Sequence, residues 1–134
     1  MEAFLRRSSL AFAAGAVGAV VNSFVVWLVG QAGITAIAGV RLAPSFHPSW
    51  MYTRIVWGAL WGFLLLLPYA RSRPITRGVV LSLVPSAVQL LFLFPTQTPH
   101  GLFGLGLGAL TPVFILAFNA VWGIVAAFWF RELG

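Results

Sequence analysis

Residues 9–30 read SLAFAAGAVGAVVNSFVVWLVG, twenty-two residues without a single charge. A helix of roughly 20 apolar residues crosses a hydrocarbon core of about 30 Å, so this stretch alone is long enough to span a membrane. Its apolar residues run continuously and do not alternate with period two, which favours a helix over a barrel strand. Three further runs have the same character, at about residues 50–69, 78–94 and 103–130. The expectation is an all-α integral membrane bundle of four transmembrane helices, forming a single transmembrane domain over residues 1–134.

The composition points the same way. Of 134 residues 60% are hydrophobic and 7% charged, against roughly 25% charged in an ordinary soluble domain. There is no Lys, no Asp and no Cys, and the acids are Glu2 and Glu132, one near each end. Such a chain has no charged coat to keep a soluble domain dispersed, and it is too apolar to remain disordered. The net charge of +6 does not indicate nucleic acid, because the eight Arg are scattered between apolar runs instead of clustered on one face. The absence of Cys excludes disulfides, thiolate metal sites and cysteine nucleophiles. His47 and His100 fall in connections with no acid nearby, so no metal site and no cofactor is expected.

The breakers fall between the runs. The 31–49 connection, QAGITAIAGVRLAPSFHPS, holds Pro44 and Pro48. ARSRPITR joins the second run to the third, and PTQTPHG the third to the fourth. Short connections imply that these successive helices are antiparallel neighbours. Residues 9–40 as one helix would measure about 48 Å, too long for a bilayer, so a break is expected near Gly30–Gly33. The apolar piece 33–40 then extends helix one, lies flat, or dips in and out. The N-terminus, MEAFLRRSSLAFAAGAVGA, has the outline of a signal peptide, but the apolar run continues to Gly30 without a polar cleavage region, so an uncleaved first helix is expected. Arg6, Arg7, Arg71, Arg73, Arg77 and Arg131 fall on one side of the four runs and Arg41 and Arg54 toward the other. This bias predicts cytoplasmic termini in a bacterial inner membrane.

Small and polar residues mark the faces. Ala14, Gly18 and Asn22 recur every four residues in the first run; Asn119, Gly123 and Ala127 do so in the fourth. The two stripes are expected to face each other across antiparallel helices, which brings Asn22 and Asn119 together. Gln89, on the stripe Gly78, Ser82, Ser86, lies in the same layer, about 18 Å deep by helix rise, where the amides either bond helix to helix or contact a solute. Gly58 and Gly62 form a GxxxG pair in the second run and Gly104 and Gly108 another in the fourth. Arg54, a turn inside the second run, either snorkels to the headgroups or faces the amide layer. A short echo, RIVWGALWGF against NAVWGIVAAFW, hints at duplication.

The functional expectations follow from what is missing. No acid lies within any run, which argues against proton-coupled cation export, and no acid–base pair suggests an enzyme. The leading expectation is a non-catalytic multi-pass protein embedded in the lipid bilayer, self-associating or serving as an accessory subunit beside other membrane subunits. Amides near Arg54 suggest as an alternative a small channel or facilitator for a neutral or anionic solute. The six Trp, the twelve Phe and His47 suggest a quinone- or pigment-binding subunit as another.

Overall fold

A computed structural model describes residues 1–133, and the described residues are helical with turns and contain no strand. Three helices are long and apolar enough to cross a membrane: Glu2–Gln31, Pro74–Gln97 and Thr111–Leu133. α1 (Glu2–Gln31) opens with Glu2 in its first turn, where a carboxylate complements the exposed N–H groups. It stops at Ala32–Gly33, with Gly33 at φ +78°, a left-handed conformation that glycine adopts without strain. The four-residue α2 (Ile34–Ile37) follows.

α3 (Pro48–Trp61) begins on a proline, whose missing N–H costs nothing at a helix start. Its last turns tighten into a 3-10 helix, Gly62–Leu66, and Leu67 turns extended ahead of Pro68. α4 (Pro74–Val88) also starts on proline and carries Pro85 inside it. Gln89–Leu93 then form a π-helical turn, and α5 (Phe94–Gln97) continues the rod. α6 (Thr111–Leu133) is the last helix.

Several boundaries differ from those read in the sequence. The first helix begins at Glu2 and not near Ser9. The third run starts earlier and takes in Arg77, which is buried. The fourth starts at Thr111 and not at 103: Phe103–Leu110 form turns, with Phe103, Gly104 and Gly108 all at positive φ, so the Gly104–Gly108 pair belongs to a loop and not to a helix seam. The physical reason is local. Hydropathy alone extends a helix through any apolar stretch, whereas four glycines between 101 and 108, three of them at positive φ, supply the left-handed freedom that lets an apolar loop fold back.

In cross-section the helices run in the order α3, α1, α6, α4, with each adjacent pair antiparallel. Glycines set the approaches. Gly58 of α3 and Gly62, the first residue of the 3-10 helix, lie directly against Gly15 of α1, and a Cβ on Gly58 would meet Ala19 Cβ at 2.5 Å. Gly18 of α1 faces α6, where a Cβ would sit 2.6 Å from the Trp122 carbonyl. Gly123 of α6 faces away from α1 and abuts the backbone of Gly78 in α4. The two small-residue stripes therefore do not meet: Ala14, Gly18 and Asn22 face Phe118, Trp122 and Ala126, one step round α6 from Asn119, Gly123 and Ala127. A helix between two neighbours needs two packing faces, and the sequence stripe marked the one that meets α4.

The two ends of the molecule are built differently. The end bearing Arg6, Arg7, Arg71, Arg73, Arg77 and Arg131 is filled by Ala11, Ala14, Leu65, Leu81, Ala126 and Phe130. At the distal end, the 31–47 connection folds across the bundle onto the 98–110 loop. Arg41 N–H donates to the Leu107 carbonyl at 2.9 Å, and the Arg41 guanidinium reaches Gly106 O. Thr35, buried, donates its hydroxyl to Leu42 O at 2.9 Å, and Leu42 and Leu107 pack on Leu90, Phe94 and Ile115.

Candidate functional site: a polar cleft between α3 and α4

The connection from α3 to α4 is short, yet these two helices do not pack on one another along their length. They stand as opposite walls of a cleft whose floor is α1 and α6, and the cavity between them measures about 400 Å³. Sites that bury a drug-sized ligand measure roughly 300–1,000 Å³. The expected close pairing of the second and third helices is thus corrected. Gly15 and Gly18 draw α1 against both α3 and α6, and this leaves α3 and α4 on opposite flanks.

Arg54 leads the α3 wall. By helix rise it lies about 9 Å inside the distal start of α3, and its side chain turns inward. Its Nε donates to Ser23 Oγ at 2.8 Å, and one terminal nitrogen donates to Asn22 Oδ1. The guanidinium lies over the Trp50 ring, 5.0 Å from the centroid. Trp50 stands in an aromatic chain with Phe46, Phe24 and Trp27 that fastens the start of α3 to the distal part of α1. A guanidinium offers five N–H donors, and the chain engages two of Arg54's. No carboxylate pairs with it among the described residues.

Asn22, 4% exposed, holds the floor. Its amide nitrogen donates to the Phe118 carbonyl of α6 while its oxygen accepts from Arg54, so both ends of the amide are used. On the opposite side Asn119 Nδ2 donates to Ser86 Oγ at 3.0 Å and to Gln89 Oε1 at 3.2 Å. Ser86 in turn donates to Ser82 O at 2.8 Å. Gln89 Nε2 has no intrachain partner among the described residues. Gln89 opens the π turn, four residues after Pro85, whose ring deprives the Leu81 carbonyl of its donor. Local departures of this kind are common where a helix re-aims a side chain.

The structure thus places Asn22, Arg54, Gln89 and Asn119 around one cavity but in two groups. Gln89 and Asn119 bond directly; Asn22 bonds to Arg54 and to the backbone beside Asn119, not to either amide. Gly58 also lines the cavity, whereas Gly18, Gly62, Gly123, Ala14 and Ala127 lie in helix seams. The sequence reading missed Ser23, which shares Arg54 with Asn22, and Trp122, whose indole N–H donates to the Gly15 carbonyl at 3.0 Å across the α1–α6 seam. Ser23's place beside Asn22 was the available signal. Trp122 gave none, because an indole in an apolar run reads as packing.

The polar part of the cavity is rich in donors, and no acid lines it among the described residues. Arg54 on one wall and Gln89 Nε2 on the other suit an acceptor-rich group such as a carboxylate or a phosphate ester. No protein family, curated protein or solved structure matches this chain.

Proposed function

We propose that this chain is a non-catalytic integral membrane protein with four spans that binds an anionic, acceptor-rich group in the cleft between α3 and α4. The observation that carries the reading is Arg54: a cation turned into the bundle, lining a cavity, with spare donors and no acid to neutralise it. A charge held within a bilayer is costly and marks a functional position; a bound anion would offset that cost.

The fourth span is α3 with its 3-10 extension. Fourteen α residues at 1.5 Å and five 3-10 residues at about 2 Å reach roughly 31 Å, the thickness of the hydrocarbon core. Six Arg at one end support the reading that both termini are cytoplasmic, as in a bacterial inner membrane. Binding is favoured over conduction because the Arg-rich end is filled by side chains and the two distal loops bond to each other. Exposed Tyr52, Val56 and Leu60 on α3 and Phe63 on its 3-10 extension suit lipid or a second membrane subunit.

Thermal unfolding in mild detergent tests this reading. Acetate, inorganic phosphate or a long-chain carboxylate is expected to raise the midpoint through preferential binding to the folded chain, and Arg54→Gln should abolish the rise. An unmoved midpoint with all three anions would remove the reading.

A further inference from the structure

Resting on that reading, we infer that the ligand is an amphiphile: a carboxylate or phosphate monoester head on a single apolar tail, taken sideways from the bilayer between α3 and α4. The cavity is polarised along the helix axes. Arg54, Asn22, Gln89 and Asn119 lie in its distal part, beside Phe92 and Leu93. Toward the Arg-rich end the lining becomes Ala19, Trp61, Pro85 and Trp122. A small hydrated anion has no use for that second half, because an aromatic wall offers it no hydrogen bond. An acidic head at Arg54 with a tail laid along Trp57 and Trp61 fills both parts.

The mouth supports the same occupant. Trp57 on one lip is 58% exposed and Phe92 on the other is 56% exposed, and both also line the cavity. The cavity wall is therefore continuous with the surface that faces acyl chains. A ligand dissolved in lipid meets the gap between these two lips directly. At about 9 Å below the distal start of α3, Arg54 would draw an acidic head deeper than the ordinary headgroup layer.

The test uses the full chain in phosphatidylcholine nanodiscs. Brominated dodecanoate quenches tryptophan fluorescence, and acetate and inorganic phosphate serve as tail-less competitors, their own binding measured by calorimetry. The expected result is saturable quenching that Arg54→Gln weakens about tenfold or more, the equivalent of one charge-assisted hydrogen bond. Arg54→Lys, which retains the charge, should retain most of the affinity and shows that the site survives substitution. Acetate and phosphate should compete at least about a hundredfold more weakly, because they lack the buried methylenes. Arg54-dependent binding of acetate or phosphate as tight as that of dodecanoate would overturn the amphiphile while leaving anion binding intact. If none of the three probes binds saturably and in an Arg54-dependent way, both readings fall.

Discussion

At the scale of single residues, glycines decide how close the backbones come. Gly62, at the start of the 3-10 helix, lies on Ala11 and Gly15 of α1, and Gly123 of α6 lies on Gly78 and Ser82 of α4. Gly62→Leu and Gly123→Leu should each cost about 1–3 kcal/mol by overpacking. The two seams share no neighbour, so the double variant should equal the sum within about 0.5 kcal/mol. Equilibrium unfolding in mixed micelles measures this, and strong non-additivity would mean that both glycines serve one seam. Trp122→Phe keeps most of the volume and removes the indole N–H that reaches Gly15 O. Its expected cost is about 0.6–2 kcal/mol, the range for an interhelical hydrogen bond in a membrane. A neutral result in the same unfolding assay would show that the bond contributes nothing.

At the scale of elements, Arg77 explains how the 3-10 stretch ends. Its side chain is 4% exposed, reaches Leu65 O, and donates to Leu67 O at 3.2 Å. It also lies over the Phe130 ring, 5.6 Å from the centroid. The last carbonyls of a helix lack intrahelical donors, and here α4 supplies one to the end of α3. Arg77→Ala should therefore loosen the Leu65–Tyr69 stretch and destabilise the chain by about 1.5–3 kcal/mol, the worth of a hydrogen bond to a charged group. Hydrogen exchange at residues 66–70 should speed up in this variant, and unchanged exchange would refute the cap. Arg77 read in the sequence as one more basic loop residue that fixes orientation; its second role depends on where Leu65 and Leu67 end up.

At the scale of the whole molecule, topology is the quantity to measure. The absence of Cys makes single-cysteine labelling clean. Ser45, Ser72 and Gln97 are exposed, so each tolerates Cys without disturbing the packing. With four spans and cytoplasmic termini, Ser45→Cys and Gln97→Cys should react with an impermeant maleimide on intact spheroplasts. Ser72→Cys should react only after permeabilisation. Protection of Gln97→Cys together with labelling of Ser72→Cys would invert the orientation. Ser45→Cys and Ser72→Cys reacting from the same side would remove α3 as a span. The mass of the particle in mild detergent reads self-association: a strictly monomeric species with nothing bound to it would count against an oligomer or accessory subunit.

The sequence by itself determined that this is an apolar all-helical chain with membrane-length helices, because long uncharged runs leave backbone polar groups no partner but their own helix. It also picked out Asn22, Arg54, Gln89 and Asn119, since polar side chains are conspicuous where everything else is apolar. It did not determine which helices touch. A four-residue period names a face without naming its partner, and Gly123 could serve α1 or α4 equally well until the backbones were placed. Nor could the sequence foresee that α3 and α4, joined by a short link, would stand apart. That separation follows from glycine contacts on α1, forty residues and more from Gly58 and Gly62, and contacts at such range exist only once the chain has folded.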